Sequence, residues 1–173
     1  MRDARPLIAL AAVVALIGAV LFVLGAAQQP RKGAILTDRL GPESGESVPD
    51  YLVRATASLD GQSADPRYAL VSLQRSITAT DAARFAERIR VSEVLYREST
   101  DRPPVTAGVS ADPESVARSG GVVSDGCACA IALVVRGSTD QLRSVAAQPG
   151  VMAVEALPSD AVFGRFAVAP LGP

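Results

Sequence analysis

Apolar and polar residues follow three different patterns along this chain, and the first is an unbroken apolar run. Residues 7–27 contain no charged side chain, whereas Arg2 and Arg5 precede the run and Arg31 follows it. A helix that rises about 1.5 Å per residue covers roughly 30 Å over such a length, which is close to the hydrocarbon thickness of a bilayer. The pattern predicts a transmembrane helix at 7–27 behind a short cytoplasmic head at 1–6.

A cleaved secretory signal peptide is the alternative, because Gly25-Ala26-Ala27 has the small residues of a cleavage site. The apolar region of a signal peptide usually spans about 7–15 residues, so the longer run favours an uncleaved anchor. Basic residues are balanced on its two sides, and the free N-terminal amine favours a cytoplasmic N-terminus. We therefore predict a single-pass cell-membrane protein whose C-terminal domain is extracytoplasmic.

The second pattern is a polar stretch without regular periodicity. Residues 28–66 are rich in Gly, Pro, Ser and acidic side chains, a composition that is typical of linkers. We predict a linker and juxtamembrane segment over this range. Residues 51–59 within it are compatible with one short helix or strand.

The third pattern is a strand–helix–strand order that occurs twice. In the first block, apolar strands at 68–74 and 91–96 flank a helix whose apolar residues recur at i, i+3, i+4 and i+7 from Ala82. In the second block, strands at 129–135 and 151–157 flank another helix. Two such units around a pseudo-twofold axis predict a ferredoxin-like sandwich of four strands beneath two helices.

The second helix has clear signals for its ends. Ser138 is followed three residues later by Gln141, which is a capping-box pattern, and Pro149-Gly150 stops the helix. Asp81 and Asp140 fall in the first turns of the two helices, where a carboxylate interacts favourably with the helix dipole.

The predicted fold class is α+β: an N-terminal transmembrane helix followed by a ferredoxin-like βαββαβ sandwich at 67–160. A long insertion, Ser99 to Gly126, separates the second and third strands and exceeds the usual loop length. Residues 161–173 form a C-terminal tail or an added edge strand. The insertion, the tail and the sheet face opposite the helices are candidate contact surfaces.

Composition excludes most catalytic chemistry. The chain has no His, and its only Lys is Lys32, so Ser-His-Asp, Cys-His and Ser-Lys arrangements within the domain are excluded. Residues 33–173 carry 13 basic and 17 acidic side chains, which gives no basic footprint for nucleic acid. The carboxylates that remain are dispersed and interpreted as solvated surface: Glu87, Glu93, Glu98 and Glu155. We predict a protein that is not an enzyme and binds neither cofactor nor metal.

Cys127 and Cys129 are the only cysteines and the only residues with distinctive chemistry. On a strand their Cα atoms lie roughly 6.6 Å apart, near the upper limit for a disulfide, so a bridge requires a kink at Ala128. Four interpretations stay open: two small buried residues, an internal disulfide serving as a redox pair, an intermolecular disulfide in a homodimer, and, least favoured, a metal site.

The end of the second block, Leu142-x-x-Val145-Ala-Ala-Gln-Pro-Gly-Val151-x-x-Val154-Glu155, resembles the propeptide/inhibitor domain of subtilisin-like proteases. That family closes with a Leu-rich helix, a Pro-Gly turn and a Val-x-x-Val-Glu strand. The resemblance covers the C-terminal two-thirds of the chain, roughly 68–160, and implies the ferredoxin-like topology and a role as a protease inhibitor or foldase.

Together these patterns predict a membrane-anchored extracytoplasmic protein whose non-enzymatic domain contacts another protein. A membrane-bound thiol/disulfide redox protein that uses Cys127 and Cys129 is one alternative hypothesis. A propeptide-like protease inhibitor is the other.

Overall fold

The computed structural model describes residues 38–61, 64–124 and 126–171. In this part of the chain the elements are β1 (Asp38–Leu40), α1 (Val48–Ala57), β2 (Arg67–Ile77), α2 (Ala79–Ala86), β3 (Arg90–Tyr96), β4 (Val105–Gly108), α3 (Pro113–Arg118), a 3₁₀ turn (Ser119–Val122), β5 (Ala130–Gly137), α4 (Thr139–Ala146), β6 (Val151–Ala156) and β7 (Phe166–Val168). The class is α+β, with two sheets.

The predicted fold class, a transmembrane helix followed by a four-stranded ferredoxin-like sandwich, is wrong. Among the described residues, no helix is both long enough and apolar enough to cross a membrane. The head at 1–6 and the transmembrane helix predicted at 7–27 lie outside those residues. The domain itself is also more elaborate than a four-stranded sandwich, because it has a fifth strand, a second sheet and two further helices.

The main sheet has the strand order β4-β3-β5-β2-β6, and each pair of adjacent strands in it is antiparallel. Strands β2, β3, β5 and β6 lie where the two sequence blocks predict strands, and α2 and α4 lie where they predict helices. These positions are confirmed, because apolar runs bounded by cap and turn residues report local structure directly. The fifth strand, β4, comes from the predicted insertion and pairs with the outer edge of β3.

The caps of the two main helices explain where these helices begin. The Thr78 side chain accepts a hydrogen bond from the Asp81 amide, and Ser138 with Gln141 forms a complete capping box. Each cap satisfies amides that the first helical turn leaves without intrahelical partners. Leu142 of α4 and Phe85 of α2 pack into the larger hydrophobic core on this face of the sheet.

The opposite face of the sheet is covered as well. Strands β1 and β7 pair in parallel, and their residues Leu40 and Phe166 are buried against Leu70, Leu95 and Val134 of the main sheet. The composition of β5 explains why both faces need a cover, since all of its first six residues are apolar and buried. A strand without apolar–polar alternation is typical of a sheet that is packed on both sides.

Helix α1 and strand β1 lie within the segment predicted to be a linker, so residues 38–61 are folded. Ser47 caps α1 by accepting a hydrogen bond from the Asp50 amide, and a proline occupies its first turn. Tyr51 and Ala55 are buried against Ala153 of β6. The helix therefore contributes to the core.

The insertion between the second and third predicted strands is also largely structured. After β4, helix α3 packs with Val116 in the main core. The Tyr96 hydroxyl and the Ser119 hydroxyl lie 2.6 Å apart in a buried hydrogen bond, which attaches the 3₁₀ turn to the end of β3. The segment is therefore folded against β3 and α2, while most of its side chains remain exposed.

Candidate functional site

The two cysteines precede β5 directly, at the end of the sheet where β2 and β3 finish. They are joined by a disulfide, and their Cα atoms are 5.3 Å apart. Cys129 is 3% exposed and belongs to the main core, whereas Cys127 is half-buried at its margin. The pair thus has one inner and one outer sulfur.

A compact turn carries Cys127. The Cys127 amide donates to the Ser124 carbonyl (3.0 Å), and Gly126 has a φ of 72°, a left-handed conformation that favours glycine. The Ser124 amide and hydroxyl both donate to Glu98, at 3.1 and 2.9 Å. These two donors lower the pKa of the Glu98 carboxyl. On the other side, the Arg97 amide donates to the Cys129 carbonyl (2.8 Å).

A buried carboxylate in β6 is the second notable feature. Glu155 is 3% exposed, so its interpretation as solvated surface is wrong. It forms an ion pair with Arg54 of α1, and its Oε2 accepts a hydrogen bond from the Gly41 amide at 2.5 Å. Arg54 also contacts Glu46 at 2.8 Å and donates to the Gly41 carbonyl at 3.1 Å. This network ties β1, α1 and β6 together and has a structural role.

The network sets the protonation of its members. Hydrogen bonds from Arg54 and from the Glu43 backbone lower the pKa of Glu46 to about 2, because they stabilise the ionised carboxylate. Burial raises the pKa of the neighbouring Tyr51 to about 12. Tyr51 therefore stays neutral at physiological pH and serves as a packing residue.

The lowered pKa of Glu46 makes stability depend on pH. A carboxyl whose folded-state pKa is below its ordinary value of 4.5 contributes fully above that value and loses its contribution as the pH falls towards 2. We expect wild type to be more stable than Glu46→Gln at pH 7. The difference in unfolding free energy, measured by denaturant titration from pH 7 to about 2, should shrink below about pH 4.5. Parallel curves would contradict this assignment.

A third feature lies at the far end of β5, where side chains of three adjacent strands form a row. Arg90 of β3 pairs with Arg136 of β5, which pairs with Tyr68 of β2. Directly paired residues of adjacent strands project from the same face of a sheet. This is the face opposite α2 and α4, because Tyr68 packs with the smaller cluster there. The Arg136 guanidinium carbon lies 5.4 Å from the centre of the Tyr68 ring.

Aromatic residues from the tail continue this row. The Phe163 ring lies 5.5 Å from Tyr68 and 6.2 Å from Phe166, and Tyr68 and Phe166 are 5.6 Å apart. Phe166 is buried, whereas Phe163 is 42% exposed and its neighbour Val162 is 56% exposed. We call the set formed by the following residues the arginine–aromatic patch: Tyr68, Arg90, Arg136, Val162 and Phe163.

The charges of the patch are largely uncompensated. Within the described ranges, no carboxylate lies within ion-pairing distance of Arg90 or Arg136. By register, Glu93 is the next charged residue of β3 on this face, and burial raises the pKa of its carboxyl. The patch thus combines exposed apolar and aromatic side chains with two guanidinium groups that form no ion pair in the described part of the chain.

The sequence contains only part of the information needed to find these sites. Cys127 and Cys129 are recognisable from composition, but the patch assembles residues 68, 90, 136 and 163, which are far apart in the chain. The signal that was available is the group of large apolar residues in the tail, Val162, Phe163, Phe166 and Val168. The described residues contain no group of three or more side chains suited to hold a metal ion.

Comparison with known proteins identifies no relative: no protein family, curated protein or solved structure matches this chain.

Proposed function

We propose that this chain is an extracytoplasmic protein-binding domain, and that the arginine–aromatic patch is its binding surface. The observation that supports the proposal is the exposed Phe163 and Val162 beside two arginines that have no ion-pair partner among the described residues. Aromatic residues and arginine are enriched at protein interfaces and dominate their hot spots. The disulfide supports an oxidising compartment.

The chemistry of the patch suggests the chemistry of its partner. Two guanidinium groups attract carboxylates. The Arg136 guanidinium carbon lies 5.4 Å from the centre of the Tyr68 ring and its Nε is buried, so only its terminal nitrogens can donate to a partner. The rings of Tyr68 and Phe163 offer a surface for an apolar or aromatic side chain. We therefore propose a partner segment in which acidic residues adjoin aromatic ones.

The other surfaces considered from the sequence are less suited to this role. Most of the sheet face opposite the helices is covered by β1 and β7, and the insertion packs against α2 through α3. No observation among the described residues favours the propeptide-like inhibitor. The patch is where the uncovered end of the sheet meets the tail.

The first test uses the purified full chain and a synthetic 12-residue peptide of alternating Asp and Phe, labelled for fluorescence anisotropy. Two matched peptides replace Asp by Lys or Phe by Ser. We expect only the acidic–aromatic peptide to bind, with an affinity that falls as salt is raised, because salt screens exposed charges.

Variants then locate the surface. Phe163→Ala should weaken peptide binding about tenfold, which corresponds to about 1.4 kcal/mol, and Arg90→Glu should weaken it further and remove much of the salt dependence. The control is Arg75→Glu, an exposed arginine seven residues beyond Tyr68 along β2, which should bind like wild type.

Absence of peptide binding, or equal binding by wild type and Arg90→Glu, would overturn the proposal. A lipid surface is the competing ligand for a basic and apolar patch. Binding to phosphatidylglycerol vesicles without binding to the peptide would overturn the protein-partner assignment in its favour.

A further inference from the structure

The disulfide between Cys127 and Cys129 is not explained by the proposed binding function. It lies at the opposite end of β5 from the arginine–aromatic patch. We propose that it is a thiol–disulfide exchange site, that Cys127 is the sulfur attacked by an external thiolate, and that Cys129 is the internal leaving group. The substrate class is a dithiol, such as a protein with two nearby cysteines.

The position of the bond in the chain argues against a role as a structural staple. Its two cysteines are separated by only two positions. A disulfide stabilises a fold mainly by restricting the unfolded chain, and this effect grows with the length of the closed loop. Because the closed loop is so short, the bond restricts the unfolded chain very little and contributes little to stability.

The asymmetric exposure of the two sulfurs supports their assignment. Cys127 is half-buried and follows an exposed turn, whereas Cys129 is 3% exposed and packed in the main core. An external thiolate therefore reaches Cys127 first, because exchange depends on access to the sulfur that is attacked. Cys129 remains protected from outside reagents and close enough to reclose the bond.

The surrounding backbone keeps both sulfurs in place when the bond opens. Glu98 accepts two hydrogen bonds from Ser124, whose carbonyl in turn accepts from the Cys127 amide. The Cys129 carbonyl is held by the Arg97 amide at 2.8 Å. Neither anchor involves a sulfur atom, so opening the bond leaves both of them intact. Glu98 is thus a positioning residue for Cys127.

The exchange balances in two steps. One thiolate of the dithiol attacks Cys127 Sγ, the bond between the two cysteines breaks, and Cys129 leaves as a thiolate that takes up a proton. The second thiolate of the substrate then attacks its own sulfur in the mixed disulfide and releases Cys127, which is also protonated. The substrate loses two electrons and becomes a disulfide, while the cysteine pair gains them. A second disulfide-bearing molecule regenerates the pair by the reverse exchange.

The test compares single-cysteine variants of the full chain. Cys129→Ser leaves Cys127 as the only thiol, and Cys127→Ser leaves Cys129. Each variant is incubated with oxidised glutathione, and formation of the mixed disulfide is followed by mass spectrometry. We expect Cys129→Ser to react at least about tenfold faster in the folded protein and the two rates to converge in guanidinium chloride, where burial no longer protects Cys129.

Wild-type protein provides the second measurement. The oxidised chain is mixed with a synthetic peptide that contains two cysteines, and free thiols are alkylated and counted. We expect one peptide disulfide per reduced cysteine pair, and a circular-dichroism spectrum that does not change on reduction. Equal rates for the two variants would overturn the proposal. So would a wild-type bond that reacts only in denaturant, or loss of the fold on reduction.

Discussion

Gly41→Ala should destabilise the fold by about 4 kcal/mol and lower the melting temperature by more than about 10 °C. Gly41 has a φ of 102°, and a Cβ at this position would lie 1.7 Å from the Ala169 carbonyl oxygen. That oxygen belongs to the backbone just beyond β7, so β1 and the tail must separate before a methyl group fits. The Gly41 amide would then also lose its hydrogen bond to Glu155.

The matched control separates the close approach from backbone strain alone. Gly45 has a similar φ of 82°, but a Cβ there meets no atom within 4 Å. Gly45→Ala should therefore cost only about 1–2 kcal/mol, the penalty of the left-handed conformation. Denaturant titration of both variants measures the difference, and equal losses would show that β1 and the tail do not pack as closely as described.

Glu155→Ala is the substitution with the second-largest expected effect, a loss of about 2–4 kcal/mol in unfolding free energy. The change removes the buried carboxylate from Arg54 and from the Gly41 amide, and both would stay without that partner. We place the loss below that of a fully buried pair because the Arg54 side chain is 36% exposed and can reach solvent. Burial and pairing of Glu155, rather than its charge alone, cause the effect.

Glu114→Ala is the appropriate comparison, since Glu114 also pairs with an arginine, Arg118, at 2.5 Å. Both side chains there are mostly exposed, at 80% and 66%. Surface pairs of this kind contribute about 0–1 kcal/mol. The two variants are compared by urea titration at pH 7. A loss for Glu155→Ala as small as that for Glu114→Ala would contradict its assignment as a buried structural carboxylate.

The two predictions probe contacts that the sequence does not reveal. Gly41 occurs in a stretch with the composition of a linker, and Glu155 ends a Val-x-x-Val-Glu pattern with no visible partner. Gly41 is constrained by Ala169, and Glu155 is paired with Arg54. In each pair the two residues are about a hundred or more positions apart in the chain. Contacts at such separation follow from how the elements pack, not from any local pattern.

The sequence alone determined the positions of four strands, β2, β3, β5 and β6, and of two helices, α2 and α4. Apolar periodicity, the capping box at Ser138 and turn residues act within a few positions of each other, so each of them predicts the structure of its own segment. Composition also made Cys127 and Cys129 stand out as the only two cysteines. Local chemistry was sufficient for these features.

Only the tertiary structure decided what covers the second face of the sheet and which side chains meet there. The sequence pattern left the sheet face opposite the helices as a candidate contact surface, whereas β1 and β7 cover most of it. The first six residues of β5 are buried because both faces of the sheet are packed. Burial of Glu155 and assembly of the arginine–aromatic patch depend on strand order and register. The hydrophobic effect favours removal of apolar area from water but is non-directional. The apolar residues of a strand therefore do not specify which segment of the chain packs against them.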